Sequence, residues 1–335
     1  MVTIVNNLSL EMWQEYVAQH PQSNIFHTPE MFQVFAQTPG YQPQLWAALD
    51  VQGNICVLFL PVLVTLFDGL LRRWTTRAIL YGGALSTPDP QGQAALQALL
   101  AAYQHTMRNE ALITEVRHTE NPTALPILDA QGFVHTSHLN YLIALDQPVE
   151  AVMAQIGSRT RKNIRRALRS ESISVTMITE REQLRAFYTL LEQTYAAAHV
   201  PLAPFALFEA AFDVLASKDM AKFFLVTVDG HAAASSVELL FKDKIYGWYG
   251  GLSREYSRHS PNELLMWHIL QWGATHGYRV YDFGGAGEPD AEYGVRDFKA
   301  KFGGKLVNFG RDTWVHTSWR WQLTQWAYKV YQTWF

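Results

Sequence analysis

Two stretches of the chain alternate apolar and polar positions on either side of a short polar turn. The first, "LWAALDVQGNICVLFLPV" (45–62), turns at Asp50 to Gly53. The second, "KFFLVTVDGHAAASSVELL" (222–240), turns at Asp229 and Gly230. Period-two alternation broken by Asp, Asn and Gly predicts a β-hairpin in each place. Each hairpin leads to another short strand and nearly the same word, "YGGALS" from Tyr81 and "YGGLS" from Tyr249. A polar loop, a helix and a strand follow both times: "PQGQAALQALLAAYQHTMRNE" with "LITEVR", then "NELLMWHILQWGATHG" with "RVYDF". Pro201 and Pro204 interrupt the helical region before "FALFEAAFDVLASK", and Pro261 stands where a helix can open.

A matched word inside a matched order of elements points to an internal duplication. Hairpin, third strand, helix and further strand resemble the core order of the GNAT acyltransferase fold. The expected architecture is therefore α/β (α+β): two tandem GNAT-like domains with mixed sheets flanked by helices, meeting near residues 143–155. A single large α+β domain with accidental repeats is the alternative.

At 335 residues the chain is long for one core and comfortable for two, and 48% apolar with 17% charged residues describes a folded protein. "MVTIVNNLSL" lacks the features of a secretory signal, and "ICVLFLPVLVTLF" from Ile55 is too short to span a bilayer. Cys56 is the only cysteine and reads as a core thiol, so a cytoplasmic protein is expected. His135 and His138 form an HxxH pair with no cysteine or carboxylate at ligand spacing. No metal and no resident cofactor are expected.

Against a net charge of −3, "SRTRKNIRRALRS" (158–170) concentrates six basic residues. On a helix, Arg159, Lys162, Arg166 and Arg169 share one face and Arg161 and Arg165 widen it, while Ile156, Ile164, Ala167 and Leu168 take the other. A solvated face is the ordinary reading. Six like charges without an intervening acid favour an anionic partner, and the lack of a broad basic balance or reading motif argues against DNA.

The turn "SREYSRHSPN" (253–262) opens the second central helix without a glycine, and Arg254 and Arg258 are its phosphate-binding candidates. Downstream, "YDFGG" has the form of a strand ending in a flexible turn, which makes Asp282, Gly284 and Gly285 candidates. In "VRDFKAKFGG", Phe298 and Phe302 lie one turn apart with Lys299 beside them.

Taken together, "HTPEMF", "RTRKNIRRA", "YGWYGG", "PNELLMWHILQW", "YDFGG" and "FKAKFGG", in this order, resemble the FemABX-type peptidyltransferases of peptidoglycan bridge formation. The resemblance covers most of the chain and is to the short members without a coiled-coil arm. It implies a first domain, 1–148, on the acceptor side, completed by a returning helix at 317–335. A second domain, 149–316, would hold the acyl donor and reaction centre. It also implies transfer of an aminoacyl group from tRNA to the side-chain amine of a peptidoglycan precursor, lipid- or nucleotide-linked. Phe298 and Lys299 would lie at the reaction centre, with Lys299 stabilising developing negative charge and Tyr249 positioning the acyl group. The basic helix would face substrate or tRNA phosphates. Gln33 stands where armless relatives acting on the nucleotide-linked precursor carry a lysine. Ala198, next to the candidate His199, stands where they carry an arginine; the acceptor stays open. An acyl-CoA-dependent N-acyltransferase acting on a cell-envelope amine and a non-catalytic module binding anionic glycolipid or RNA are the alternatives.

The tail "SWRWQLTQWAYKVYQTWF" has seven aromatic residues, two basic residues and no acid. Its stripe of Trp319, Leu323, Trp326, Val330 and Trp334 is expected to dock on the first domain. Trp321, Tyr328 and Phe335 form a second stripe available for weak peripheral contact at the inner membrane face.

Overall fold

The computed structural model describes residues 2–67 and 69–334, with side chains as far as residue 326 except residue 70. Two compact units form: Met1–Ser137 with Phe309–Phe335, and His138–Asn308.

Unit 1 begins with strands β1 (Thr3–Val5), β2 (Tyr41–Pro43), β3 (Trp46–Leu49), β4 (Ile55–Phe59), β5 (Val62–Thr65), β6 (Thr76–Tyr81), β7 (Leu85–Ser86), β8 (Ile113–Arg117) and β9 (Val134–Thr136). Its helices are α1 (Leu10–Gln19), α2 (Pro29–Ala36), α3 (Arg72–Thr75), α4 (Pro90–Met107) and α5 (Leu125–Ala130). The first hairpin forms between β3 and β4, with Trp46 opposite Phe59. Pro61 has no N–H to give, and beyond it the ladder passes to β5, which pairs with β2 and β6. Two sheets result, β1-β3-β4-β7 and one built on β2-β5-β6-β8. Helix α4 starts at Pro90, capped by Asp89 accepting from the Gly92 N–H at 2.8 Å. Its stripe of Ala95, Leu96, Leu99, Leu100 and Tyr103 is fully buried on the core with Trp46, Phe59 and Val116.

Unit 2 contains β10 (Leu139–Ala144), α6 (Val149–Gln155), α7 (Ser158–Ala167), β11 (Ile173–Met177), α8 (Leu184–Ala197), α9 (Phe205–Leu215) and β12 (Ala221–Val228). It continues with β13 (His231–Phe241), β14 (Lys244–Leu252), α10 (Pro261–Thr275), β15 (Val280–Gly285), α11 (Gly294–Ala300) and β16 (Lys305–Asn308). The sheet order is β11-β12-β13-β14-β15-β10-β16, and β12 and β13 form the second hairpin. Helix α10 packs closely over β14 because Gly273 lacks a side chain: a Cβ there would lie 2.6 Å from Ile245 Cδ1 and 2.9 Å from Leu145 Cδ1.

The chain then returns to unit 1 as β17 (Arg311–Val315) and α12 (Ser318–Trp334). Strand β17 enters between β8 and β9, just as β10 enters between β15 and β16. Each half thus gives one strand to the other's sheet. This exchange puts the divisions after residues 137 and 308, not at the expected 148 and 316. Among the described strands only β6–β8 and β14–β15 pair in parallel, one pair in each unit.

The tail meets unit 1 through Trp319, whose ring lies edge-on to Trp74 of α3 with centroids 5.5 Å apart. The expected docking stripe is nevertheless largely exposed: Trp319 at 59%, Leu323 at 48% and Trp326 at 63%. Trp321, of the stripe expected to be available for membrane contact, is half-buried and more covered than these three. The side chains of Tyr328, Val330, Trp334 and Phe335 lie outside the described residues. No helix among the described residues is long and apolar enough to cross a membrane.

Candidate active site

The parallel pair of unit 2 is joined only at its beginning. Lys244, Ile245 and Tyr246 lie opposite Val280, Tyr281 and Asp282. Beyond them β14 stays on β13 as far as Leu252, while β15 runs on to Gly285 beside β10. The two strands therefore part. On the β14 side the register jumps between Val237–Tyr249 and Glu238–Gly247, leaving Trp248 as the extra residue of a β-bulge. A bulge takes a backbone N–H of its extra residue out of the ladder, here just beyond the point where the strands part.

The end of β15 is fixed by Lys299, which α11 buries to 8% exposure. Its Nζ donates to the carbonyls of Phe283 at 2.5 Å, Gly284 at 3.3 Å and Gly285 at 2.7 Å. All three ammonium protons are thus directed at the turn. Gly284 has φ +68, and its N–H donates to Asp282 Oδ1 at 2.7 Å. Asn140 Nδ2 donates to the same oxygen at 3.2 Å. Burial raises the Asp282 carboxyl to about 6, against the Gly284 N–H and the Lys299 charge. Burial likewise lowers Lys299 to about 8, against the pull of Asp282. Between those values both groups are charged.

Phe298 is half-buried, 5.1 Å ring to ring from the fully buried Phe302. Tyr249 packs on Phe208 at 4.9 Å and Tyr195 at 5.8 Å, on the α8–α9 side of the sheet. Lys299, Phe298, Asp282, Gly284 and Gly285 therefore come together, with Tyr249 on the other strand of the parted pair. His199 is exposed just beyond α8, and Gln33 is exposed on α2 of unit 1. Neither joins the group around Lys299.

Helix α7 is the basic helix. Thr160, Ile164 and Ala167 bury one face on α10, and Ile156 is buried just before it. Leu168, expected on that face, is 56% exposed, because the helix ends at Ala167 and turns it outward. Arg166 Nη2 donates to Arg258 O and Ser260 Oγ, both at 3.1 Å, tying α7 to the turn that opens α10. Ser260 is left-handed, φ 59, and gives α10 no side-chain cap. Arg161 Nη1 donates to Ala154 O at 2.7 Å, which satisfies the end of α6. Arg159, Lys162 and Arg165 are exposed on α7, and Arg254 and Arg258 are exposed in the turn before α10. An uncapped helix N-terminus preceded by a turn with Arg254 and Arg258, and tied to Arg166, is a fit for phosphate.

Two buried acids escaped the sequence reading. Glu238, 2% exposed on β13, has an unpaired Oε2 facing Gly247, and burial pushes it up to about 7 despite the Ser236 and Tyr281 hydroxyls. A lone acid in "ASSVELLF" was the available signal. In unit 1, Asp312 on β17 is buried between His118 Nε2 and His135 Nδ1, the latter at 3.1 Å. His118 lines a small recess with Gly82, Gly83, Glu120, Asn121 and Thr123. His135, read from sequence as an ordinary histidine, is thus part of a His–Asp–His cluster whose members lie up to 194 residues apart.

Residues 157–299 match the model of the acetyltransferase (GNAT) domain family. Among solved structures, FemX is 17% identical with a TM-score of 0.73, covering 96% of this chain and 99% of that one. A tandem GNAT protein from the clavulanic acid biosynthesis pathway is 11% identical, TM-score 0.61, over 95% and 99%. L-PGS from Bacillus licheniformis is also 11% identical, TM-score 0.61, over 96% and 97%. No curated protein matches the sequence. The opened parallel pair, the duplicated order of strands and these likenesses over nearly the whole length make the fold a tandem GNAT fold, similar to that of FemX.

Proposed function

We propose that the chain is an aminoacyltransferase of peptidoglycan bridge formation, moving an aminoacyl group from charged tRNA to the side-chain amine of a precursor. The observation that carries this reading is the early parting of the parallel pair of unit 2, with Lys299 anchoring the end of one strand and the Trp248 bulge in the other, in a fold similar to that of FemX across 96% of the chain. The amine attacks the ester carbonyl, a C–N bond forms, the C–O bond to ribose breaks, and the amine's proton passes to the released ribose oxygen. The ester is already activated, so no serine or cysteine nucleophile is required.

In this reading the backbone N–H freed by the bulge receives the developing oxyanion. Lys299 acts as a positioning residue, because its protons are committed to three carbonyls. Its charge still lowers the cost of negative charge nearby. Tyr249 and Phe298 border the acyl group, and the arginines of α7 with Arg254 and Arg258 hold tRNA phosphates. The recess of unit 1, with His118 held by Asp312, is assigned to binding the amine-bearing precursor.

A second reading, an acyl-CoA-dependent N-acyltransferase, draws support from the GNAT acetyltransferase match and the uncapped start of α10, which suits a diphosphate. Charged tRNA and acetyl-CoA offered side by side with lipid-linked and nucleotide-linked precursors separate the two. Incorporation from charged tRNA is expected. Incorporation from acetyl-CoA alone replaces the first reading with the second, and activity from neither donor leaves a binding module.

A further inference from the structure

Large exposed apolar side chains gather in one part of unit 1. Leu66 at 58%, Phe67 at 60% and Leu71 at 56% lie just before α3; Trp319, Leu323 and Trp326 follow one face of α12 at the spacing of successive turns. The edge-on contact of Trp74 with Trp319 joins α3 and α12. The loop carrying Phe67 is closed by Thr75, whose Oγ1 bonds both the Phe67 N–H and its carbonyl at 3.2 Å. These six are more than a third of the sixteen large apolar residues exposed among the described residues. The other ten are spread through the rest of the chain. Such concentration marks a surface that leaves water on binding.

Its charges say which partner. Arg72 and Arg73 lie in α3 and Arg320 in α12; in the sequence, Asp68 is the one acid of 66–77, and 318–335 contains none. The Arg320 guanidinium lies 5.5 Å from the centre of the Trp319 ring, so the cation borders the apolar surface directly. Apolar side chains including tryptophan, rimmed by arginine, suit the boundary between acyl chains and anionic headgroups. A second copy fits poorly. In a two-fold contact the patch would meet itself and set arginines against arginines.

We propose that the α3–α12 surface docks unit 1 on an anionic lipid bilayer, lying in its interface without crossing it. This does not depend on which reaction the chain catalyses. It reverses the assignment of faces made from the sequence: the stripe of Trp319, Leu323 and Trp326, expected to dock on protein, faces lipid.

The test is flotation of the full chain with vesicles of phosphatidylcholine mixed with phosphatidylglycerol, and with vesicles of phosphatidylcholine alone. The wild type is expected to float with the anionic vesicles, and its tryptophan emission to be quenched by brominated lipid. Phe67→Ser/Leu323→Ser/Trp326→Ser should lower partitioning at least about tenfold, with an unchanged circular dichroism spectrum because all three are exposed. Arg73→Gln/Arg320→Gln should lower it by about fivefold per charge, and only on the anionic vesicles. The proposal is overturned if the wild type does not float, or if the triple variant floats equally well. It also fails if the wild type is a dimer that the triple variant dissociates, since the surface is then a contact between copies.

Discussion

In unit 1 the parallel strands β6 and β8 stay together to their last residues, Tyr81 opposite Arg117, and the Gly82 N–H adds one more bond to Arg117 O at 2.8 Å. In unit 2 the equivalent strands part after three residue pairs. The closed end is held by packing: Tyr81 stacks on Phe26 at 4.9 Å and on Phe35 at 5.8 Å, and the Arg117 guanidinium lies 5.4 Å from its ring centre. The open end has the Trp248 bulge on one strand and a glycine turn clamped by Lys299 on the other. One fold, used twice, keeps its parallel pair joined to the end in one half and lets it part early in the other. The buried acids differ in the same way. Burial alone would raise Glu115 on β8, but Arg117, Arg311 and Arg77 outweigh it and hold the carboxyl below its ordinary range. Glu238 has no such cation and is raised.

The strongest way to break this comparison is Lys299→Met. If the clamped turn is what makes the open half reactive, single-turnover rates should fall about 100- to 1000-fold, as when a positioned electrostatic group is removed. His118→Ala in the closed half should instead raise the Michaelis constant for the precursor and leave turnover nearly unchanged. Wild-type turnover should peak between about pH 6 and about 8, where Asp282 and Lys299 are both charged, and the alkaline limb should vanish in the methionine variant. Equal rates for wild type and Lys299→Met would return this lysine to a structural part.

Next in size is the contrast of the acids. Glu238 binds its proton more tightly folded than unfolded, so stability falls as pH rises from about 4.5 to about 7. The loss amounts to roughly 3 kcal/mol by the upper end. Glu238→Gln should remove that decline. Glu115 has the opposite sign: its depressed carboxyl contributes stability above its unfolded value near 4.5, which is lost as pH falls through the folded one. Glu115→Gln should therefore cost stability at neutral pH and little in acid. Urea titrations across this range, on both variants, give the two slopes.

The repeated word "YGG" shows how far the sequence could be read. It does occupy matching strands: Tyr81 ends β6 and Tyr249 lies within β14. Periodicity and word order exposed the hairpins, the central helices and the duplication because each is a local signal. The exchange of β10 and β17 was hidden, since pairing partners far apart leave no trace in either segment's own pattern. The cluster of His118, Asp312 and His135 was hidden for the same reason. Lys299 stood out in the word "FKAKFGG", but its three carbonyl partners depend on how the turn after β15 folds back on α11. Even the glycines differ in purpose. Gly83 has φ +83 and room for a side chain, with His118 Nδ1 at 3.5 Å from an added Cβ. Gly251 has no such dihedral, but an added Cβ would lie 2.6 Å from Leu190 C and 2.7 Å from Leu191 N of α8. Gly83→Ala should cost about 1 kcal/mol for its backbone conformation alone. Gly251→Ala should cost about 3 kcal/mol, since a helix backbone has to move. Equal drops in melting temperature would show that the two words serve one purpose.

The smallest expected effect concerns the charge that unit 2 carries on α7. Arg166 is already spent on Arg258 O and Ser260 Oγ, and Arg161 on Ala154 O, so these two hold the fold as well as any ligand. Arg159, Lys162 and Arg165 are the cleaner probes because they are exposed. Changing these three to Gln should leave the melting temperature unchanged and raise the Michaelis constant for charged tRNA several-fold at low salt. The difference from wild type should shrink as salt rises, because exposed charges are screened beyond about 10 Å at 0.1 M. Each cation taken away from a phosphate should also flatten the salt slope by about 0.7 to 0.9. Arg166→Gln, by contrast, frees the Ser260 turn and should lower stability together with affinity. If the three exposed changes leave the Michaelis constant and its salt slope intact, the positive face of α7 is only a solvated surface. Phosphate recognition would then rest on the start of α10 alone.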